Sequence, residues 1–554
     1  MSTQPDIRET RKEQIFPQLT GAQIARLEPH GKRIPIHKGQ VLAEPGDRQG
    51  QLMVVLSGSI EIVRPGLEGE QLVVVHTPGH FAGEISTLRG AGSLVRARVK
   101  DAGEVLAIDV EHLRGIVQSD SELSELFMRA FILRRVGLIS SQPGDVVLIG
   151  SRHSAGTLRL QQFLTRNGFP YVGLDVESDA SVQELLDRFD FTVADVPVVL
   201  CRGSVLKNPG NEQVAACLGM NPQIDECKIR DVIVIGAGPA GLAAAVYATS
   251  EGLDVLVVET SSPGGQAGSS SKIENYLGFP TGISGQALAG RALVQAQKFG
   301  AEIAVANSAL SMKCEQRPFK VETSSELNIR GRAIIIATGA EYRQLALEDA
   351  ARFLGVGLYY AATAVEAKLC KNEEVVVVGG GNSAGQAAVF LAGSCRQVHL
   401  LVRSRGLADS MSRYLIRRIE ESPNITLRVL TEITSLEGDT QLERVTWRSG
   451  PGKSAETRDI SHVFLMTGAV PNTAWLEGCV SLDGKGFVRT GSELRSEELE
   501  ALKWPLVRPP HPFETNLPGV FAVGDVRSGS VKRVASAVGE GSACVQYIHQ
   551  YLSG

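Results

Sequence analysis

Short apolar runs that end in glycine and open into alanine-rich helical patterns set the rhythm of the C-terminal part of the chain. Val232–Ile235 runs into Gly236–Gly241 and then Leu242–Ala245, and Val375–Val378 runs into Gly379–Ala384. Four-residue apolar runs bounded by glycine read as buried parallel strands, and their alternation with helical patterns reads as βαβ units. Val255–Val258 and Val398–Val402 are the strands that follow the two helices. The N-terminal part has a different pattern: short strands with turn signals, such as Gln51–Leu56 and Gln71–Val75, precede a helical stretch across Val110–Ile139. That order predicts a small barrel or roll. Between these parts, a linker at Ser141–Asp145 leads to a strand (Val146–Ile149), an amphipathic helix (Thr157–Asn167) and two more strands (Tyr171–Val176, Val196–Leu200).

The two glycine clusters carry recognisable chemistry. In Gly236-x-Gly238-x-x-Gly241 the first glycine permits a tight turn and the second lets backbone approach a pyrophosphate. The third lets the helix pack on the strand, which aims the helix N-terminus at the phosphates. Pro239 and Ala240 fill the turn, and Glu259 ends the next strand about 18 residues on, where a carboxylate accepts ribose hydroxyls. The second cluster is a GxGxxA variant, Gly379, Gly381, Asn382, Ser383 and Ala384, opening another helix. Arg403 and Arg405, rather than a carboxylate, follow its next strand. Cations there suit the 2′-phosphate of NADPH over NADH, with NADH left open.

Composition narrows the class. With 554 residues the chain predicts about three or four domains. A net charge of −5, 43% hydrophobic and 21% charged residues describe an ordinary globular protein with no signature of nucleic-acid or membrane binding. The eight cysteines form no CxxC and no metal-ligand spacing, so no metal site is expected. The pattern predicts a reducing cytoplasm and no disulfide framework.

From Lys228 onward the chain resembles the bacterial type of thioredoxin reductase, on Gly236–Gly241, Glu259, Pro263–Ala267, Ser271–Tyr276 and Gly519–Asp525. The resemblance implies FAD. Its contacts would come from Gly265, Gln266, Asn275, Thr338, Gly339, Gly524 and Asp525, besides the first glycine turn and Glu259. Lys532, Arg533 and Val534 would set a helix N-terminus at the flavin, with arginine where the family has glutamine. Thr338–Ala340 and Thr467–Ala469 match the two linkers on which the nicotinamide domain rotates in the family, and a homodimer is implied.

The N-terminal part resembles the cyclic-nucleotide-binding domain, on Pro35–Gln40, Pro45–Asp47, Val54–Ile60 and Phe81–Ile85. Gly83, Glu84 and Arg96 are its candidate ligand contacts. The arginine expected on the cyclic phosphate is replaced by Ser93, which leaves a docking or dimerisation role as the alternative. The middle part resembles a thioredoxin or glutaredoxin domain in its strand order and its Val196-Pro197, a proline that is cis in that family. Ser154–Thr157 stands where the family carries CxxC, so a redox-inactive module that docks a small protein or peptide is expected. Cys201 is placed after the third strand as packing.

The expected fold class is multidomain α/β: a β-roll (15–142), a thioredoxin-like domain (143–226), an FAD-binding domain in two parts (228–340 and 467–554) and an NAD(P)H-binding domain (341–466). Thioredoxin reductases place CxxC just before the second glycine motif, and here both positions are alanine, Ala361 and Ala364. The resemblance therefore implies an NADPH-dependent flavoprotein oxidoreductase whose electron acceptor is reached without that dithiol: a small disulfide, a quinone, oxygen or ferredoxin. Tyr359 and Tyr360 are candidates to gate the flavin face. Two alternatives stand beside this reading, a thioredoxin reductase using Cys370 and Cys395, and a flavin-based sensor governed by the N-terminal module.

Overall fold

The structure is a computed structural model. It describes residues 15–553 apart from 46, 48–50, 67–68, 84–92, 94, 141–145, 152–153, 177–194, 202–203, 344, 348–349, 409, 451–453, 477 and 503. The expected linker at 141–145 lies outside the described residues.

Alternating apolar positions build the N-terminal roll. After helix α1 (Gly21–Leu27), strands β1 (Lys32–Ile36), β2 (Val41–Ala43), β3 (Leu52–Gly66), β4 (Gly69–His76), β5 (Phe81–Ala82) and β6 (Arg96–Ile108) form an antiparallel sheet. Its order is β1-β6-β3-β4, with β2 on β6 and β5 on β3. The helical stretch expected over 110–139 forms two helices, α2 (Val110–Ser119) and α3 (Ser121–Ser140). Asp120 separates them: its backbone is extended, and its carboxylate accepts the N–H of Leu123, which caps the second helix. Phe81, Phe127 and Phe131 fill the core between sheet and helices.

The middle part is a four-stranded sheet. Its strands are β7 (Val146–Gly150), β8 (Val172–Asp175), β9 (Val198–Cys201) and β10 (Ser204–Lys207), in the order β10-β9-β7-β8. Helix α4 (Ala155–Arg166) connects the parallel pair β7–β8, and α5 (Asn211–Cys217) follows β10. Val196-Pro197 is a cis peptide, and Gly156 at the start of α4 faces the Pro197 ring.

Two larger units follow. Parallel strands β11 (Ile229–Ile235), β12 (Val255–Glu259) and β13 (Glu302–Val305) sit beside β16 (Asn328–Ile336), which carries the antiparallel strands β14 (Ala309–Lys313) and β15 (Phe319–Thr323). Helix α6 (Pro239–Ser250) covers this sheet, and α7 (Gly265–Gly268) and α8 (Gly285–Lys298) precede β13. The chain then leaves through β17 (Ala340–Tyr342) to a parallel sheet in the order β18-β25-β19-β20-β21. Its elements are β18 (Leu358–Tyr359), α9 (Ala364–Leu369), β19 (Glu374–Val378), α10 (Asn382–Ala392), β20 (Gln397–Leu401), α11 (Arg413–Glu421) and β21 (Ile425–Arg428). A three-stranded meander, β22 (Thr431–Glu437), β23 (Arg444–Ser449) and β24 (Ala455–Arg458), precedes β25 (Val463–Leu465). The chain returns through β26 (Ala469–Pro471), which pairs with β17 as a two-stranded ribbon, so the two expected linkers lie side by side. After α12 (Ser496–Ala501), strand β27 (Val520–Ala522) pairs in parallel with β16, and α13 (Val534–Ser553) packs on α6.

Cysteine pairing corrects the sequence reading. Cys201 joins Cys217 with Cα atoms 6.4 Å apart, and Cys314 joins Cys479 with Cα atoms 5.7 Å apart, both as disulfides. Spacing gave no hint because folding, not sequence neighbourhood, brings each pair within bonding reach. Cys201 ends β9 and is not a loop residue beyond it.

Candidate functional site

The first glycine turn is set by backbone contacts. Gly236 has φ +106°, and a Cβ there would meet the Ala337 carbonyl oxygen at 2.3 Å. A Cβ on Gly241 would lie 1.9 Å from the Gly236 carbonyl oxygen, whereas one on Gly238 would meet nothing within 4 Å. Two glycines therefore pack backbone on backbone and the middle one faces open space. Helix α6 starts at Pro239 with Gly238 as its N-cap, three residues before the expected start, because proline at the first helical position gives up no hydrogen bond. Glu259, 8% exposed, accepts the N–H groups of Ala237, Ser261 and Ser262. Burial raises its pKa against the pull of these amides and of Arg166.

The second half of the site comes from the far end of the chain. Gly524, at φ +75°, follows β27, and its N–H donates to Glu540 (2.7 Å) on α13. Glu540 also pairs with Arg527. A Cβ on Gly541 would sit 2.1 Å from the Ala240 carbonyl oxygen, so α13 and the first turn of α6 touch through backbone alone. Asp525 is half-buried, and burial raises its pKa while Lys532 opposes and Glu540 adds to the shift. Among the described residues no hydrogen bond reaches its carboxylate. Lys532 donates to the Asp525 backbone carbonyl and Ser530, Arg533 is exposed, and Val534 opens α13 as expected.

Gly264 and Gly265, both at positive φ, fold the Pro263–Ala267 segment over this turn: a Cβ on Gly265 would lie 3.1 Å from the Gly238 Cα. The Gln266 amide donates to the Ala340 carbonyl. Thr338 and Asn472 exchange side-chain-to-backbone bonds beside Gly339, while Asn275 is exposed. Glu274, next to it, pairs with Arg418 of α11 (2.7 Å). Open space at a helix N-terminus, with two carboxylates able to accept hydrogen bonds from hydroxyls, fits the diphosphate, ribose and ribityl groups of FAD.

The second turn repeats the geometry. Gly379 has φ +145°, Gly381 caps α10, and Ala384 is fully buried against the sheet. The Asn382 side chain accepts the N–H of Ser412, and Ser383 is exposed. Arg403 and Arg405 are exposed after β20 and enter no ion pair among the described residues, leaving their charge available to a 2′-phosphate.

The stretch that would carry a dithiol runs from β18 into α9. Thr363 caps that helix in a capping box with Glu366, which leaves Ala361 and Ala364 at its start. The reading of Tyr359 as a flavin gate is corrected. It is 5% exposed, its ring packs on His462 and Phe464, and its hydroxyl bonds His462 Nδ1 (3.2 Å). A two-residue strand paired with β25 turns it into the domain core. Tyr360, on the opposite side, is half-buried. Cys370 and Cys395 do meet: their Sγ atoms are 3.6 Å apart and both side chains are buried. The sulfur of Cys395 and burial push the Cys370 thiol up. Both lie beyond the C-terminal ends of α9 and α10, whereas the glycine turn lies at the start of α10, roughly 16 Å away along an 11-residue helix.

In the N-terminal roll, Gly83 has φ +140° and its carbonyl accepts from Arg134 (2.6 Å). Arg96 is held between Glu44 and Glu70. Its charge is already matched, which weakens its candidacy as the phosphate ligand. Glu84 lies outside the described residues.

Sequence reading missed one whole side of the site. Helix α4 of the middle part lies against both Rossmann units. Gln162 donates to Glu366 (2.5 Å), Leu158 joins the core containing Tyr359 and Ala362, Arg166 donates to the Gly265 carbonyl (2.7 Å) and Asn167 to that of Ser261 (3.2 Å). An amphipathic helical pattern tells which face is buried, not against which domain.

Residues 230–541 match the pyridine nucleotide-disulphide oxidoreductase family, and residues 33–120 match the cyclic nucleotide-binding domain. The thioredoxin reductase of Listeria innocua is 33% identical over 331 residues, 59% of this chain and 95% of the relative. That of Bacillus subtilis is 30% identical over 335 residues, 59% of this chain and 96% of the relative. The structure of Lactococcus lactis thioredoxin reductase in its FR conformation superposes with a TM-score of 0.52 at 26% identity, over 58% of this chain and 99% of that one. The relatives align with the region holding both glycine turns, and these enzymes use FAD and NADPH. The chain belongs to the pyridine nucleotide-disulphide oxidoreductase family, as a thioredoxin reductase-like flavoprotein oxidoreductase with an added cyclic nucleotide-binding domain.

Proposed function

We propose that this enzyme passes electrons from NADPH through FAD to an acceptor that it reaches without a dithiol beside the flavin. The carrying observation is the start of α9, where Ala361 and Ala364 stand at the two positions that a relay would need as thiols. When bound, the cofactors supply hydride transfer from nicotinamide to flavin. The chain supplies orientation and charge. FAD would be held by Gly236, Gly238–Gly241, Glu259, Gly265, Gln266, Asn275, Thr338, Gly339, Gly524, Asp525 and Lys532–Val534. The free cations of Arg403 and Arg405 support NADPH over NADH, with Gly379 and Gly381–Ala384 as its turn. A small disulfide, a quinone, oxygen or ferredoxin fits such an enzyme as acceptor.

The test is an anaerobic titration with NADPH, followed at the flavin absorbance, then mixing with thioredoxin, oxygen, a quinone or ferredoxin. Bleaching by NADPH and re-oxidation by a non-thiol acceptor is the expected result. Re-oxidation by thioredoxin overturns the reading.

The 3.6 Å approach of Cys370 and Cys395 favours a second reading, in which this pair reduces disulfides. Its place beyond the C-terminal end of α9, about 9 Å along that helix from the Ala361 and Ala364 positions, weighs against direct exchange with the flavin. Alkylation of the thiols abolishes activity only under this second reading.

For the remaining parts, we read residues 143–226 as a thioredoxin-like domain without redox chemistry. The support is the order β10-β9-β7-β8, cis-Pro197 against Gly156, and Ser154 in the cap position of α4. The roll over 15–142 docks on the FAD domain, since Val294 of α8 enters its core and Lys298 bonds Ser124 (2.9 Å). A melting shift with cAMP or cGMP would assign it a ligand and support a sensor role. A homodimer and a cytoplasmic location complete the reading. The free thiols of Cys227, Cys370, Cys395 and Cys544 support that location, and the two disulfides weigh against it.

A further inference from the structure

Three consecutive residues at the end of α4 clasp the flavin half of the molecule from outside. The Thr165 carbonyl accepts the Gln286 amide of α8 (2.7 Å), the Arg166 guanidinium donates to the Gly265 carbonyl (2.7 Å), and the Asn167 amide donates to the Ser261 carbonyl (3.2 Å). Both carbonyls belong to the segment between Glu259 and α8. Gly265 is also the residue that rests on Gly238, the glycine facing open space in the first turn.

Arg166 is half-buried, an unusual place for a cation without a matched partner. Among the described residues it makes a single hydrogen bond, which leaves most of the N–H donors of its guanidinium unused. Glu259 and Glu366 act on it through space only, and burial lowers its pKa against them. A half-buried guanidinium with spare donors, beside a turn whose open face suits a diphosphate, can take a further anion.

We infer that the thioredoxin-like module is part of the FAD site, with Arg166 as a positioning residue that holds Gly265 over Gly238 and sets a positive charge beside the diphosphate of the dinucleotide. Asn167 secures the same segment at Ser261 without adding charge. A module that has lost its dithiol is thereby retained by the cofactor it helps to hold. The inference rests on FAD binding at the first glycine turn and is independent of the electron acceptor.

The full-length protein, stripped of flavin and titrated with FAD, tests it through quenching of flavin fluorescence at low and high salt. Arg166→Gln is expected to weaken FAD binding about ten- to hundredfold and to flatten the salt dependence. Arg166→Lys should recover part of the affinity and the whole salt slope. Asn167→Ala should lose several-fold with the wild-type slope. Wild-type affinity and slope in Arg166→Gln would overturn the inference. If Arg166→Gln fails to fold, the lysine variant decides: an unchanged affinity with a flattened slope would also overturn it. A wild-type chain that takes up no FAD would instead sink the cofactor assignment itself, which separates the two failures.

Discussion

The Gln162 side chain of α4 donates to the Glu366 carboxylate of α9 at 2.5 Å, joining the middle module to the helix at whose start the family keeps its dithiol. Glu366 is fully buried and its other oxygen holds Thr363 through the backbone N–H. Replacing Gln162 with alanine leaves one oxygen of a buried carboxylate unmatched. The expected cost is about 1–3 kcal/mol, read as a lower melting temperature of the unit that carries the second glycine turn.

Glycine substitutions separate fold from cofactor. Gly541→Ala must push apart α13 and the Ala240 carbonyl, only 2.1 Å from the new Cβ, and should destabilise the flavin-free protein by about 1–3 kcal/mol. Gly238→Ala meets no protein atom within 4 Å. It should leave flavin-free stability nearly unchanged and lower FAD affinity, since its methyl occupies diphosphate space. Thermal melts of both apoproteins, followed by FAD titration, check the contrast.

Asp525 gives a pH dependence with a defined sign. Burial raises its folded-state pKa above 3.8. Its contribution to flavin-free stability is therefore present below 3.8 and is lost as pH rises through the raised value. Accepting hydrogen bonds from the cofactor's hydroxyls favours the ionised form, so FAD affinity should rise over the same window. Titrations between about pH 4 and pH 7 should show this slope in the wild type and lose it in Asp525→Asn.

Nucleotide choice should follow Arg403 and Arg405. Both are exposed, so each contributes about 1 kcal/mol. The double alanine variant should raise KM for NADPH about tenfold or more and leave KM for NADH nearly unchanged. Equal effects on both nucleotides would remove the 2′-phosphate assignment.

Cysteine counting checks the covalent structure. Of eight cysteines, four are in the disulfides Cys201–Cys217 and Cys314–Cys479. The denatured, unreduced chain should release four equivalents in a thiol assay, and reduction should raise that to eight.

The sequence alone determined the elements with local causes. Glycine at Gly236 and Gly241 is dictated by contacts that any Cβ would violate, so the first turn could be located from its spacing. Glu259 at a strand end, and α10 behind Gly381, followed from the same periodicity. Ala361 and Ala364 were legible only through the resemblance, which implies where the family keeps its dithiol. Tertiary structure decided what depends on distant partners: the turn of Tyr359 into the core, the meeting of Cys370 with Cys395, and the contact of Gly541 with Ala240. It also decided that Arg166 of one module reaches Gly265 of another. Periodicity states that a face is buried, but side-chain chemistry across domains is fixed only when two surfaces meet.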